Sequence, residues 1–200
     1  DFKQYVKNHT HLYFHYPAMM VPEMQAEIIG VILKNDNNIN SVLDPFVGSG
    51  TVMTESMFRG LKFSGQDINP LSILLCNAKQ GPFYTETLKK KIDLLFQRID
   101  LDTSNKIDIN FKDLGKWFRG DVARITSKIR RCILLEKSLW ARRFFWVSLA
   151  ETVRISSNSR TTTFKLHIRE KKDIESRKII PLDKFKSQIM RNFEALKLEK

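Results

Sequence analysis

The stretch Leu43-Asp44-Pro45-Phe46-Val47-Gly48-Ser49-Gly50-Thr51, followed by Gly65-Gln66-Asp67-Ile68-Asn69-Pro70, constrains this chain more than any other. The first segment reads as a buried strand running into a glycine-rich bend and then a helix. The second reads as another short strand that ends in an acid. Gly48 and Gly50 lack side chains, so the backbone there can turn sharply and approach other atoms closely. Thr51 begins a helix whose free N–H groups point back at the bend. Strand, bend, helix and strand in that order specify an α/β layer with parallel strands.

A carboxylate about 20 residues beyond such a bend, at the tip of the next strand, suits a ribose diol. Asp67 lies 17 residues after Gly50. Three cofactors compete for this pattern. A dinucleotide wants G-x-G-x-x-G, but the third glycine position holds Met53. An ATP P-loop wants Gly-Lys-Ser/Thr, and no Lys follows Gly50. S-adenosylmethionine (SAM) has no phosphate to cradle, so neither departure counts against it.

The rest of the chain changes character. Pro22 to Lys34 predicts a helix with an apolar stripe at Met24, Ile28, Ile29 and Ile32. Strands are expected at Ser41 to Asp44 and Lys62 to Gln66, with helices at Thr51 to Arg59, ended by Gly60, and at Pro70 to Lys79. After Gly81-Pro82 the alternation stops. Helical spacing marks Thr85 to Asp100, Lys112 to Phe118, Val122 to Leu135, Leu139 to Ile155 and Pro181 to Leu198. Ser156 to Thr163 is a polar loop, and Thr163 to Ile168 a short strand candidate. Two regions follow: residues 1–82, small-molecule binding and α/β, and residues 83–200, basic and mainly helical.

Charge separates the same two regions. The net charge is +12. Residues 1–100 hold 10 Lys/Arg and 10 Asp/Glu, whereas residues 101–200 hold 24 and 12. A neutral half beside a basic one points to a polyanion partner for the second. The 42% hydrophobic content is enough for a core, and no apolar run approaches the roughly 20 residues of a membrane span. Cys76 and Cys132 are isolated, which predicts ordinary buried thiols in a cytoplasmic protein and no metal site. The chain opens on Asp1 without an apolar signal core, which points to a segment of a longer polypeptide.

Asp44-Pro45-Phe46-x-Gly48-Ser49-Gly50-Thr51 resembles the motif I signature of the DNA N4-cytosine and N6-adenine amino-methyltransferases. Asp67 with Asn69-Pro70 resembles their ribose-binding acidic motif. Phe14-His15-Tyr16-Pro17-Ala18, followed by Pro22, is similar to the segment that precedes motif I in permuted members. The resemblance covers about His11 to Pro82. It implies a Rossmann-like SAM-dependent methyltransferase fold, of which only the first strands are visible, with an inserted or appended helical region. It implies SAM as cofactor, with Tyr16, Pro17, Asp44, Phe46, Gly48, Gly50, Thr51, Asp67 and Ile68 around it. Asp67 would hold the ribose, Ile68 would pack on adenine, and Tyr16 with Pro17 would close the site.

The family's second signature, a polar residue followed by Pro-Pro and an aromatic, is absent. The six prolines (17, 22, 45, 70, 82 and 181) are all isolated. That signature positions the target amino group, so the chain reads as the SAM-binding portion of an incomplete or split DNA methyltransferase, inactive alone. The partners implied are DNA and a second chain or C-terminal part that supplies the signature. DNA-contact candidates are Arg142, Arg143, Asn158, Arg160, Lys165 and Arg169, the last four in and around the loop SSNSRTTT. An RNA guanine-N2 methyltransferase, whose turn is similar, and a non-catalytic SAM- or DNA-binding subunit are the competing readings. Interleaved aromatics at Trp117, Trp140, Phe144, Phe145 and Trp146 read as core more readily than as stacking platforms.

Overall fold

A computed structural model describes residues 9–17, 19–161 and 166–197. After a short 3-10 helix, His9–Leu12, the chain runs α1 (Pro22–Asn35), β1 (Ser41–Asp44), α2 (Thr51–Met57), β2 (Lys62–Gly65) and α3 (Pro70–Lys79). Local chemistry explains the boundaries. Pro22 and Pro70 stand at first-turn positions, where a missing N–H costs nothing. Asn69 caps α3 by accepting from the Leu71 N–H at 3.0 Å. Gly60, at φ 68°, turns the chain out of α2. β1 and β2 pair in parallel with Ser41 opposite Lys62 and Asp44 opposite Gly65.

The remainder is helical: α4 (Thr85–Leu101), α5 (Leu114–Trp117), α6 (Gly120–Leu134), α7 (Leu139–Ser156), α8 (Lys171–Ser176) and α9 (Pro181–Ala195). The molecule is therefore mostly helical, with one two-stranded parallel sheet among the described residues. This is compatible with part of an α/β methyltransferase fold. The expected strand at Thr163 to Ile168 reduces to one antiparallel bridge between Ser159 and Ile168; residues 162–165 lie outside the described residues. The helix expected from Lys112 shortens to α5, and α8 has no apolar periodicity that could announce it.

The apolar stripes of α4 and α9 face inward as their spacing predicts. Leu88, Ile92, Leu95 and Ile99 of α4 meet Phe185, Ile189 and Phe193 of α9 in one core around α7. Tyr13, Phe14, Leu75 and Ala78 belong to that same core, so residues on both sides of Pro82 share it. A smaller cluster of Val47, Met53 and Cys76 sits beneath the glycine bend.

Two expectations of burial fail. Of the α1 stripe only Ile29 is buried, while Met24, Ile28 and Ile32 are exposed. β1 is likewise open to solvent, with Leu43 73% exposed. The reason is geometric: β1 pairs on one side only, and α1 packs against α2, so nothing among the described residues covers their outer face. No helix among the described residues is long and apolar enough to cross a membrane.

Candidate functional site

The bend after β1 and the tip of β2 meet at Asp67. Its Oδ2 accepts the Gly48 N–H at 2.8 Å, and its Oδ1 accepts the Asn69 N–H at 2.8 Å. The Asn69 and Gly48 N–H groups hold the carboxyl below the usual carboxylate range, so it is charged at neutral pH. The motif thus places a fixed, partly buried carboxylate beside a bend with positive φ at Gly48 (49°) and Gly50 (74°).

The segment before α1 closes over this bend. Tyr16 Oη shares a 2.9 Å hydrogen bond with Ser72 Oγ and accepts from Asn69 Nδ2 at 3.2 Å. A Cβ on Gly48 would lie 3.8 Å from the Tyr16 ring. The helical half fixes that segment. The Tyr13 carbonyl accepts from Gln188 and Asn192 of α9, both at 3.4 Å, and Asn192 reaches Ser148 of α7 at 3.2 Å. Tyr16, Gly48 and Asp67 are therefore brought together, although 51 residues separate the first from the last.

Other candidates take different places. Gly50 faces α3: a Cβ there would stand 2.9 Å from Cys76 Sγ. Its glycine serves the bend and the close approach of α2 to α3. Thr51 is fully buried and bonds Ser49 through the two hydroxyls at 2.9 Å. Asp44 spends Oδ1 on the Phe46 N–H at 2.9 Å, while its Oδ2 is buried without a partner among the described residues. Phe46 and Ile68 flank the bend and are 81% and 100% exposed. Pro17 is exposed and lines a cavity to which none of the bend residues contributes. Burial pushes the Cys76 thiol up to about 11, so it is no nucleophile.

Sequence reasoning named Asn69 only within the acidic motif and passed over Ser72 and Lys79. Asn69 before Pro70 carries a helix-start signal. Lys79 is buried and donates to the Ser49 carbonyl at 2.7 Å, which ties α3 to the bend. Ser72 has no sequence signal.

The basic candidates also divide. Asn158 is buried and holds the 116–117 turn: its Nδ2 donates to the Lys116 carbonyl at 3.0 Å and its N–H to the Trp117 carbonyl at 2.8 Å. Arg160 is exposed and lines a cavity of about 570 Å³ together with Pro17 and Trp117. Arg169 is half-buried, with Nε unpartnered among the described residues. Arg142 and Arg143 lie near the other end of α7, roughly 16 Å along the helix from Arg154. Lys165 lies outside the described residues. No group of three or more His, Cys, Asp or Glu able to hold a metal occurs among the described residues.

Two curated proteins are similar to this chain in sequence. The chain is 35% identical over 173 residues to the Type II methyltransferase M.MvaI of Kocuria varians, an alignment covering 80% of this chain and 37% of that protein. It is 31% identical over 108 residues to the Type II methyltransferase M.MjaII of Methanocaldococcus jannaschii, covering 54% of this chain and 18% of that protein. The chain thus spans little more than a third of the first of these proteins and under a fifth of the second. No family model and no solved structure matches it.

Proposed function

We propose that this chain, which belongs to the DNA methyltransferase family of the Type II enzymes, is a SAM-binding portion acting in methyl transfer to an exocyclic amino group of DNA. SAM supplies an electrophilic methyl group on a sulfonium. The residues present fit it. Asp67 presents two carboxylate oxygens, fixed by backbone donors at the bend, to match two ribose hydroxyls. Gly48 leaves open the space beside Tyr16 that a side chain would narrow. Asp44 Oδ2, buried and unpartnered among the described residues, suits the ammonium of the methionine end. Ile68 is a fully exposed large apolar side chain next to Asp67, and an adenine would cover it.

The observation that carries this reading is the Asp67 carboxylate, fixed by two backbone donors at the mouth of a glycine bend. The absent Pro-Pro-aromatic signature supports a division of labour: these residues hold the donor, and the acceptor amino group is positioned by groups outside residues 1–200. The exposed outer face of β1 and α1 is where a further strand and its helix would pack.

Titration calorimetry tests the reading. The chain should bind SAM, Asp67→Ala should lose that binding, and neither should methylate DNA. Absence of SAM binding by the folded chain overturns the cofactor assignment; methylation by the isolated chain overturns the division of labour.

A further inference from the structure

A separate cavity of about 310 Å³ is lined by side chains of α3, α6 and α7 and by the irregular stretch 107–111. Its size falls within the roughly 300–1,000 Å³ of small-molecule sites. We propose that it binds a monocarboxylic acid with an apolar tail, the tail among Ile107, Ile109, Phe111 and Trp146 and the carboxylate on Arg130. The glycine bend and this cavity share no lining residue, so the acid site stands or falls apart from the cofactor assignment.

Three features support it. The first is a wall built in advance. Residues 102–111 carry no helix or strand, yet Arg131 of α6 pins them. Its Nε donates to Asp102 Oδ2 at 3.0 Å. Its Nη1 donates to the Lys106 carbonyl and to Asp108 Oδ2, both at 2.8 Å, and its Nη2 to the Ser104 carbonyl at 3.0 Å. The Asp108 N–H adds a 3.2 Å bond to Ser127 Oγ of α6. Ile107, Ile109 and Phe111, at every second position of this pinned stretch, line the cavity. A guest therefore has little left to order on arrival.

The second is unfinished burial. Ile107, Ile109 and Phe111 stay 39%, 44% and 43% exposed although their backbone is fixed. They share the cavity with Trp146 and Leu149 of α7 and Leu74 of α3. An apolar tail laid among them removes from water the surface that the fold itself leaves open.

The third is the polar group left over. Thr126, Ser127 and Arg130 are the polar residues of the lining. Thr126 Oγ1 donates to the Val122 carbonyl at 2.8 Å, and Ser127 Oγ accepts the Asp108 N–H. Arg130 is half-buried and forms no hydrogen bond or ion pair among the described residues. Its guanidinium offers a planar fork of donors that a carboxylate matches with two parallel hydrogen bonds. One such cation on an otherwise apolar wall fixes the head of an amphipathic acid and disfavours an amine.

The test uses the 200-residue chain with octanoate as probe, and octanol and octylammonium as its uncharged and oppositely charged counterparts. Calorimetry should show saturable octanoate binding at one site, octanol about tenfold weaker and no binding of octylammonium. Arg130→Gln should weaken octanoate about tenfold and leave octanol unchanged. Ile109→Asn, on the exposed stretch, should weaken both. Octanoate brominated at its tail end should quench tryptophan emission through the heavy atom, and Trp146→Phe should remove most of that quench while octanoate still binds. Circular dichroism checks that each variant keeps the helical fold. Absence of saturable octanoate binding overturns the site. Octanol or octylammonium binding as tightly as octanoate, or native octanoate affinity in Arg130→Gln, overturns the acid. A full quench retained in Trp146→Phe puts the acid elsewhere and overturns the cavity.

Discussion

Asp67 shows how a single carboxylate can be prepared for a neutral diol. Its two backbone donors favour the charged form, so its folded pKa lies below its unfolded value. The stability this contributes is present above the unfolded pKa and is lost as pH falls through the lower, folded one. SAM affinity should therefore stay flat from neutral pH down to about 5, well above an ordinary carboxylate pKa; calorimetry across that range would expose a midpoint that contradicts this. Gly65 is bound by sterics instead. A Cβ there would sit 2.3 Å from Val47 Cγ1 and 3.0 Å from the Asp44 carbonyl, both fixed by the bend. Gly65→Ala should destabilise the chain by about 2 kcal/mol in urea unfolding. Asp67 was legible in the sequence because spacing and strand position sufficed. Gly65 was not, since its constraint is the nearness of Val47 across the bend, which no local pattern encodes.

Elements were legible where their apolar face met the core. The stripe of α4 reads correctly because all four of its members are buried. The stripe of α1 reads as core and is exposed, because periodicity locates an apolar face without saying what covers it. Polar ties between elements were illegible for a similar reason. Glu55 of α2 lies 3.1 Å from His11 Nε2 and 3.2 Å from Arg59, and Arg59 also donates to the Ala26 carbonyl of α1 at 2.9 Å. Glu55 is buried and joins three elements, yet in the sequence it is one acid within a short helix. Glu55→Ala leaves the buried His11 without its Glu55 partner and removes the carboxylate of Arg59, which keeps only its carbonyl acceptors. It should cost about 3 kcal/mol in thermal or urea unfolding, and Lys62→Ala, on the exposed strand, should cost almost nothing by comparison.

Across the whole molecule, the basic excess is partly internal scaffolding. Arg131 holds Asp102 at 3.0 Å and Asp108 at 2.8 Å, and Arg154 holds Glu151 at 2.7 Å. Composition announced a polyanion-facing half, but only placement separates these clamps from the exposed Arg160. The helical half also serves the other half, since α7 and α9 fix the segment that reaches the glycine bend. One further consequence follows from β1 pairing, among the described residues, on one side alone. Its free amides and carbonyls, with Leu43 among them, form an unfinished ladder that any extended peptide can climb. At high concentration the chain should recruit copies of itself into scattering particles. Leu43→Lys should keep the solution clear in static light scattering, with the same melting temperature as the parent.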